Sequence, residues 1–284
     1  MRRIQHTIKG TDVNMKTGFI GTGNMGGALA DAVSRAAGKG DSIYLCDRSA
    51  EKAAEAAGKT GGTVVALDEL FAICDTVFFG VKPQGLESLA AEIMPALKKR
   101  IDSGSVPLAV TMAAGVSLER FGMLFPGLPA IRIMPNTPVS VGEGMIFWCA
   151  GAGVDDAARE SFARIMSKAG RLSELPEGLI DAAGALSGCG PAFVYMFIDA
   201  LADGGVAAGL PRAVAREAAI QTVLGAASLA RESGAHPGEL KDAVCSPGGT
   251  TIEGVRLLEN RAFRSAVTDA VVAAYEKTAR LSKK

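Results

Sequence analysis

From Lys16 to Leu175, short unbroken apolar runs alternate with helical stretches. The runs include TGFIG, SIYLCD, DTVFFGV, SVPLAVTMAAG and AIRIMPN; between them lie segments such as NMGGALADAVSRAA and GLESLAAEIMPALKKR. A strand apolar on both faces must be covered on both faces, and helices between strands act as crossovers. The pattern therefore predicts a parallel, doubly wound α/β sheet over residues 15–177. EGMIFWCAG, DDAARESFARIMSKAG and RLSEL complete it.

After Pro176 the strand signals stop. Helical segments are expected at about 178–186, 191–209, 211–233, 236–244 and 250–281, broken by GCGP, GLPR, SGAHPG and SPGG. PAFVYMFIDALADGGVAAG and AREAAIQTVLGAASLA are apolar almost all round. Such helices need burial, and residues 178–284 are too few to bury them alone. An all-α dimerisation domain is expected, shared in an intertwined homodimer, with larger rings of dimers left open.

Residues 1–14, MRRIQHTIKGTDVN, lack the apolar stretch of a secretory signal and are expected to form a flexible tail ahead of Met15. Formal charge is zero, which gives no reason to expect nucleic acid or a membrane surface as partner. No apolar run is read as long enough to span a bilayer. Five scattered cysteines without a CxxC pair read as reduced thiols in the cytoplasm, with no metal site. Only two histidines exist, His6 and His236, so most histidine-based catalysis is excluded.

Gly21-Thr22-Gly23-Asn24-Met25-Gly26 follows a strand and opens a helix, the context that a dinucleotide fingerprint requires. The α/β domain is thus of Rossmann type. LCDRS ends the second strand, where the adenine ribose is read. Asp47 there would accept from a ribose 2′-hydroxyl and favour NADH, whereas Arg48 and Ser49 would hold a 2′-phosphate and favour NADPH. NADPH is slightly preferred and NADH stays open. Val81, Lys82 and Pro83 form a stiffened segment at a strand's carboxyl edge, along the cofactor. Ala113, Ala114 and Gly115 are small enough to face a flat nicotinamide, or merely to allow close helix packing. Asn136, between two prolines in MPNTP, would orient a polar ligand or simply end a strand.

Ser246-Pro247-Gly248-Gly249-Thr250-Thr251 spends glycines and hydroxyls at a helix start. A helix N-terminus has unpaired N–H groups and partial positive charge, which suits an anion. The alternative is a hydroxyl N-cap.

Together GFIGTGNMG, VKP, AAGVS, MPNTP, LSGCGPAFVYMFIDAL and CSPGGTTIEGVRLLE resemble the pyrroline-5-carboxylate reductase family, in family order from Met15 onward. The resemblance implies hydride transfer from NAD(P)H to 1-pyrroline-5-carboxylate, giving L-proline in the last step of proline biosynthesis. It implies that Ser246, Gly248, Gly249, Thr250 and Thr251 hold the substrate, with the N–H groups of Gly249, Thr250 and Thr251 on its carboxylate. Thr251 is the catalytic candidate, its hydroxyl reaching the ring nitrogen. An active site completed across the dimer is expected too. Two positions depart from the family's usual residues: Asp47 stands where Asn is common, and Cys189 where Ser is common. The rivals are a β-hydroxyacid dehydrogenase and a non-catalytic NAD(P)-binding protein. The first needs a lysine early in the helical region, and none occurs between Lys168 and Lys241.

Overall fold

The structure, a computed structural model, describes residues 14–281. The expected tail lies outside them except for Asn14. The chain divides into two compact units, one running to Gly184 and the other spanning Ala185–Arg280; the reading above drew that line at 177.

The first unit runs β1 (Lys16–Ile20), α1 (Asn24–Ala36), β2 (Ser42–Cys46), α2 (Ala50–Thr60), β3 (Thr63–Val64), α3 (Leu67–Ile73) and β4 (Thr76–Phe79). It continues through α4 (Leu86–Asp102), β5 (Leu108–Thr111), α5 (Leu118–Leu124), β6 (Ala130–Met134), β7 (Gly144–Ala150), α6 (Asp156–Ile165) and β8 (Gly170–Glu174). The sheet has the order β3-β2-β1-β4-β5-β6-β7-β8. In β4 and β5 every residue is buried, as two-sided coverage demands. Neighbouring residues serve opposite faces. Phe78 stacks on Phe19 in the core under α1 and α6, while Phe79 meets Phe121 and Phe125 in the core under α3, α4 and α5.

The sheet is not wholly parallel, which corrects the expectation. β7 runs antiparallel to β6, and β8 runs parallel to β7. A parallel return needs a crossover of a dozen residues or so. The chain between Met134 and Gly144 instead makes one 3₁₀ turn, Thr137–Val141, and comes straight back.

The second unit takes in the end of α7 (Ile180–Ser187), then α8 (Gly190–Ala207), α9 (Arg212–Ser233), α10 (Pro237–Ala243), α11 (Thr250–Asn260) and α12 (Phe263–Leu281). The single helix expected over 250–281 is therefore two. Ala262 takes a left-handed φ of 57°, and its N–H bonds the Glu259 carbonyl. No glycine or proline marks this break, so the sequence pattern hides it. The second unit's core cluster is small, Ala202, Ala215 and Ala219, with Ile198 and Val206 against them. Tyr195 (61%), Met196 (73%), Leu224 (55%) and Leu257 (58%) are exposed in the single chain.

One further expectation needs correction. Within Glu177–Ala207 an 18-residue stretch reaches a mean hydropathy of 1.4, and the segment is long and apolar enough to cross a membrane by length and composition. It is broken between Ser187 and Gly190, where α7 gives way to α8.

Backbone packs closely around the Gly21 carbonyl. A Cβ on Gly26 would sit 2.0 Å from that oxygen and a Cβ on Gly80 2.5 Å from it, while Gly21 itself has φ +87°. Gly26→Ala should therefore cost at least about 2 kcal/mol, read as a lowered urea midpoint. A melt matching wild type would show that α1 can shift freely on the sheet.

Candidate functional site

At the carboxyl edge of β1, β2 and β4 lies a cleft of about 760 Å³. Its walls include Gly21, Gly23, Asp47, Arg48, Val81 and Lys82 from the sequence reading. Asn24 lines the adjoining groove with Thr22 and Gly23. The other expected cofactor residues, Ala113, Ala114, Gly115 and Asn136 included, are not among the residues that line either space. Met25 packs against the core, Gly26 lies under Gly21, Ser49 caps α2 by accepting from the Lys52 N–H, and Pro83 begins a 3₁₀ turn.

α1 starts in a manner suited to an anion. Its N-cap is Gly23, with no side-chain hydrogen bond and no acidic residue in the first turn. Helices α2, α5 and α6, by contrast, are capped by Ser49, Ser117 and Asp155. The α1 start thus keeps backbone donors without a side-chain acceptor of its own, which suits an anion.

Asp47 points back at the fingerprint. Its Oδ2 accepts from the Thr22 N–H at 2.7 Å and the Thr22 hydroxyl at 3.2 Å, and its Oδ1 accepts from the Ser49 N–H at 2.8 Å. Burial alone would raise its pKa, but the Ser49 and Thr22 hydrogen bonds and nearby Lys52 outweigh this and hold the carboxyl below its usual range. Arg48 is exposed and has no carboxylate partner among the described residues. Three cations, Arg48, Lys52 and Lys82, stand against two carboxylates, Asp47 and Glu92, around the cleft.

Lys52, Ser88, Leu89 and Glu92 also line the cleft and were missed. A signal for the last three existed: Gly85, Ser88, Leu89 and Glu92 recur at i, i+3, i+4 and i+7, one face of α4.

The loop Met112–Ser117 leaves β5, the neighbour of β4, at the same sheet edge. Ala113 is buried, Ala114 is exposed and Gly115 adopts φ +73°. Asn136 is 8% exposed, and its Oδ1 accepts from the Met145 N–H at 2.9 Å, fastening the reversal into β7.

In the second unit, the start of α11 resolves one open alternative. Its N-cap is Gly249, and no side chain caps it. The Gly249 N–H closes a turn to the Ser246 carbonyl at 3.0 Å. This leaves the N–H groups of Thr250 and Thr251, in the first turn, without intrahelical acceptors. Ser246, Gly248, Thr250 and Thr251 are all exposed, and Gly248 has φ +65°.

A Rossmann-type sheet with a bare fingerprint helix, a basic cleft and a helical second unit defines a dinucleotide-dependent oxidoreductase. Comparisons narrow the class. The profile described as "Pyrroline-5-carboxylate reductase dimerisation" matches residues 177–281, and "NADP oxidoreductase coenzyme F420-dependent" matches residues 16–101. The chain is 40% identical to the pyrroline-5-carboxylate reductase of Escherichia coli over 94% of its length and 98% of that protein. Identity to the Pisum sativum enzyme is 40%, over 93% and 95%. The crystal structure of Plasmodium falciparum pyrroline carboxylate reductase with NADP bound matches at TM-score 0.82 and 32% identity, over 95% of this chain and 98% of that one. This chain belongs to the pyrroline-5-carboxylate reductase family, and its exposed apolar helices lie in the family's dimerisation region.

Asp47 yields a test of the site's architecture. Its folded pKa is depressed, so its stabilisation is complete above the unfolded value and drains away as pH falls below about 4. Asp47→Ala should flatten the acid limb of the stability–pH curve. Curves for the variant and wild type that stay parallel through that limb would detach Asp47 from it.

Proposed function

We infer that the chain reduces 1-pyrroline-5-carboxylate to L-proline with a reduced nicotinamide dinucleotide, NADPH in preference to NADH. The observation that carries the reaction is the uncapped start of α11 within CSPGGTTIEG, in a chain matching the family's relatives nearly end to end. An anion-ready helix start suits a carboxylate substrate. The Thr250 and Thr251 N–H groups bind that carboxylate, with Ser246 and Gly248 shaping the turn and Gly249 bracing it. The Thr251 hydroxyl meets the ring nitrogen.

Little else is asked of the protein. A protonated cyclic imine is already electrophilic, and bound nicotinamide supplies hydride to its C=N carbon. The chain's own residues bind and orient, which is where much of the barrier reduction lies. No histidine is needed, and water supplies the proton. Ala113, Ala114 and Gly115 give the nicotinamide a surface without bulky side chains.

The preference for NADPH rests on Asp47. With both oxygens already accepting from Thr22 and Ser49, the carboxylate is turned away from a ribose, and the exposed group at the end of β2 is Arg48. A cationic outer wall suits a 2′-phosphate. A cytoplasmic homodimer fits the five unpaired thiols and the dimerisation match.

Mixing the protein with NADPH and the cyclic imine should abolish the nicotinamide absorbance and yield proline; inert mixtures with both cofactors would end the reading. Thr251→Ala should cost about 10- to 150-fold in kcat/KM, the worth of one hydrogen bond to a charged group, and unchanged kinetics would remove Thr251 from the site. Arg48→Ala should weaken NADPH far more than NADH. Equal losses would place the 2′-phosphate elsewhere.

A further inference from the structure

A charged residue interrupts the apolar strand AIRIM, and the fold explains what it does. Arg132 of β6 is 3% exposed, and its guanidinium pairs with Glu177 and Asp181, residues 45 and 49 positions away. Its Nη1 lies 3.2 Å from Glu177 Oε1, while its buried Nε has no partner. The same Glu177 Oε1 accepts from the Leu118 N–H at 2.6 Å. Leu118 is the first residue of α5, directly after the loop Met112–Ser117.

We propose that Glu177 is a positioning residue for that loop. The inference rests on the reading of Ala113–Gly115 as the surface against the nicotinamide. The near end of the loop is tied by the Thr111 hydroxyl, which accepts from the Ala113 N–H at 3.4 Å. The far end is tied by Glu177. Between the ties, exposed Ala114 and Gly115 at φ +73° have no anchoring side chain, while buried Val116 closes the turn by donating its N–H to the Ala113 carbonyl at 3.3 Å. Arg132 makes the far tie rigid. It projects from a sheet strand into a buried site and draws the carboxylate to a fixed place, so the Leu118 amide meets a charged acceptor held by the sheet. Arg132 and Glu177 touch neither substrate nor cofactor; their effect passes through the loop backbone.

The test separates the two halves of the cofactor and also separates this proposal from the reductase reading. Glu177→Ala removes the acceptor, whereas Glu177→Gln keeps an oxygen for the Leu118 N–H and loses the charge. Amide hydrogen exchange of the peptide covering 111–118 is followed with NADP⁺ and with 2′,5′-ADP, which lacks the nicotinamide. Wild type should gain protection with NADP⁺ beyond that with 2′,5′-ADP. Glu177→Ala should lose that extra protection while binding 2′,5′-ADP with wild-type affinity, and Glu177→Gln should recover part of it. In single turnover with NADPH and the cyclic imine, Glu177→Ala should slow hydride transfer about tenfold, as expected for a misplaced reactant. Full extra protection in Glu177→Ala would overturn the proposal, as would equal loss of 2′,5′-ADP affinity. A wild type that transfers no hydride would refute the reductase reading, and the exchange experiment would still decide the role of Glu177.

Discussion

The crowding of bare backbone around the Gly21 carbonyl is the constraint on which the rest of the site depends. Gly26 from α1 and Gly80 from the end of β4 both come so close to it that neither has room for a Cβ. That approach seats the start of α1 against the strands at the sheet's carboxyl edge. Asp47 then ties the turn to the end of β2 through Thr22 and Ser49. The cleft is what remains between elements brought this close together.

Among the helix starts without a side-chain cap are α1 and α11, one in each compact unit. α1 and α11 both begin at a glycine with no side-chain cap, whereas Ser49, Ser117 and Asp155 satisfy the helices they begin. An omitted cap costs helix stability, roughly 1 kcal/mol. Here it leaves backbone donors open at both starts, the condition an anion needs. A reaction in which both partners are anionic and the hydride is carried by a cofactor needs such cradles more than it needs acids and bases.

The second unit shows why partnership and stability belong together in this family. Its core cluster is three alanines, while Tyr195, Met196, Leu224 and Leu257 face outward in the single chain. Burial of apolar surface is the main source of folding free energy. Such helices gain stability when a second copy covers them, and they lie in the region that matches the family's dimerisation model.

Much was legible in the residues because the signals were local. Apolar runs alternating with helices set the doubly wound architecture, and the spacing of Gly21, Gly23 and Gly26 set the dinucleotide edge. The glycines before Thr250 raised an anion cradle or a hydroxyl cap as alternatives, and only the structure showed that no hydroxyl caps the helix. What stayed hidden depended on contacts distant in sequence or on backbone geometry without a marker residue. The reversal of β7 came from a connection too short to cross the sheet, and Ala262 broke a helix without glycine or proline. The direction of Asp47 was settled by amide groups at Thr22 and Ser49. Arg132 was visible as a charge in an apolar strand, but Glu177 and Asp181 stand far along the chain. Local pattern determined which elements form and where ligands enter; folding alone decided which polar atoms are already engaged, because hydrogen-bond partners are chosen in three dimensions.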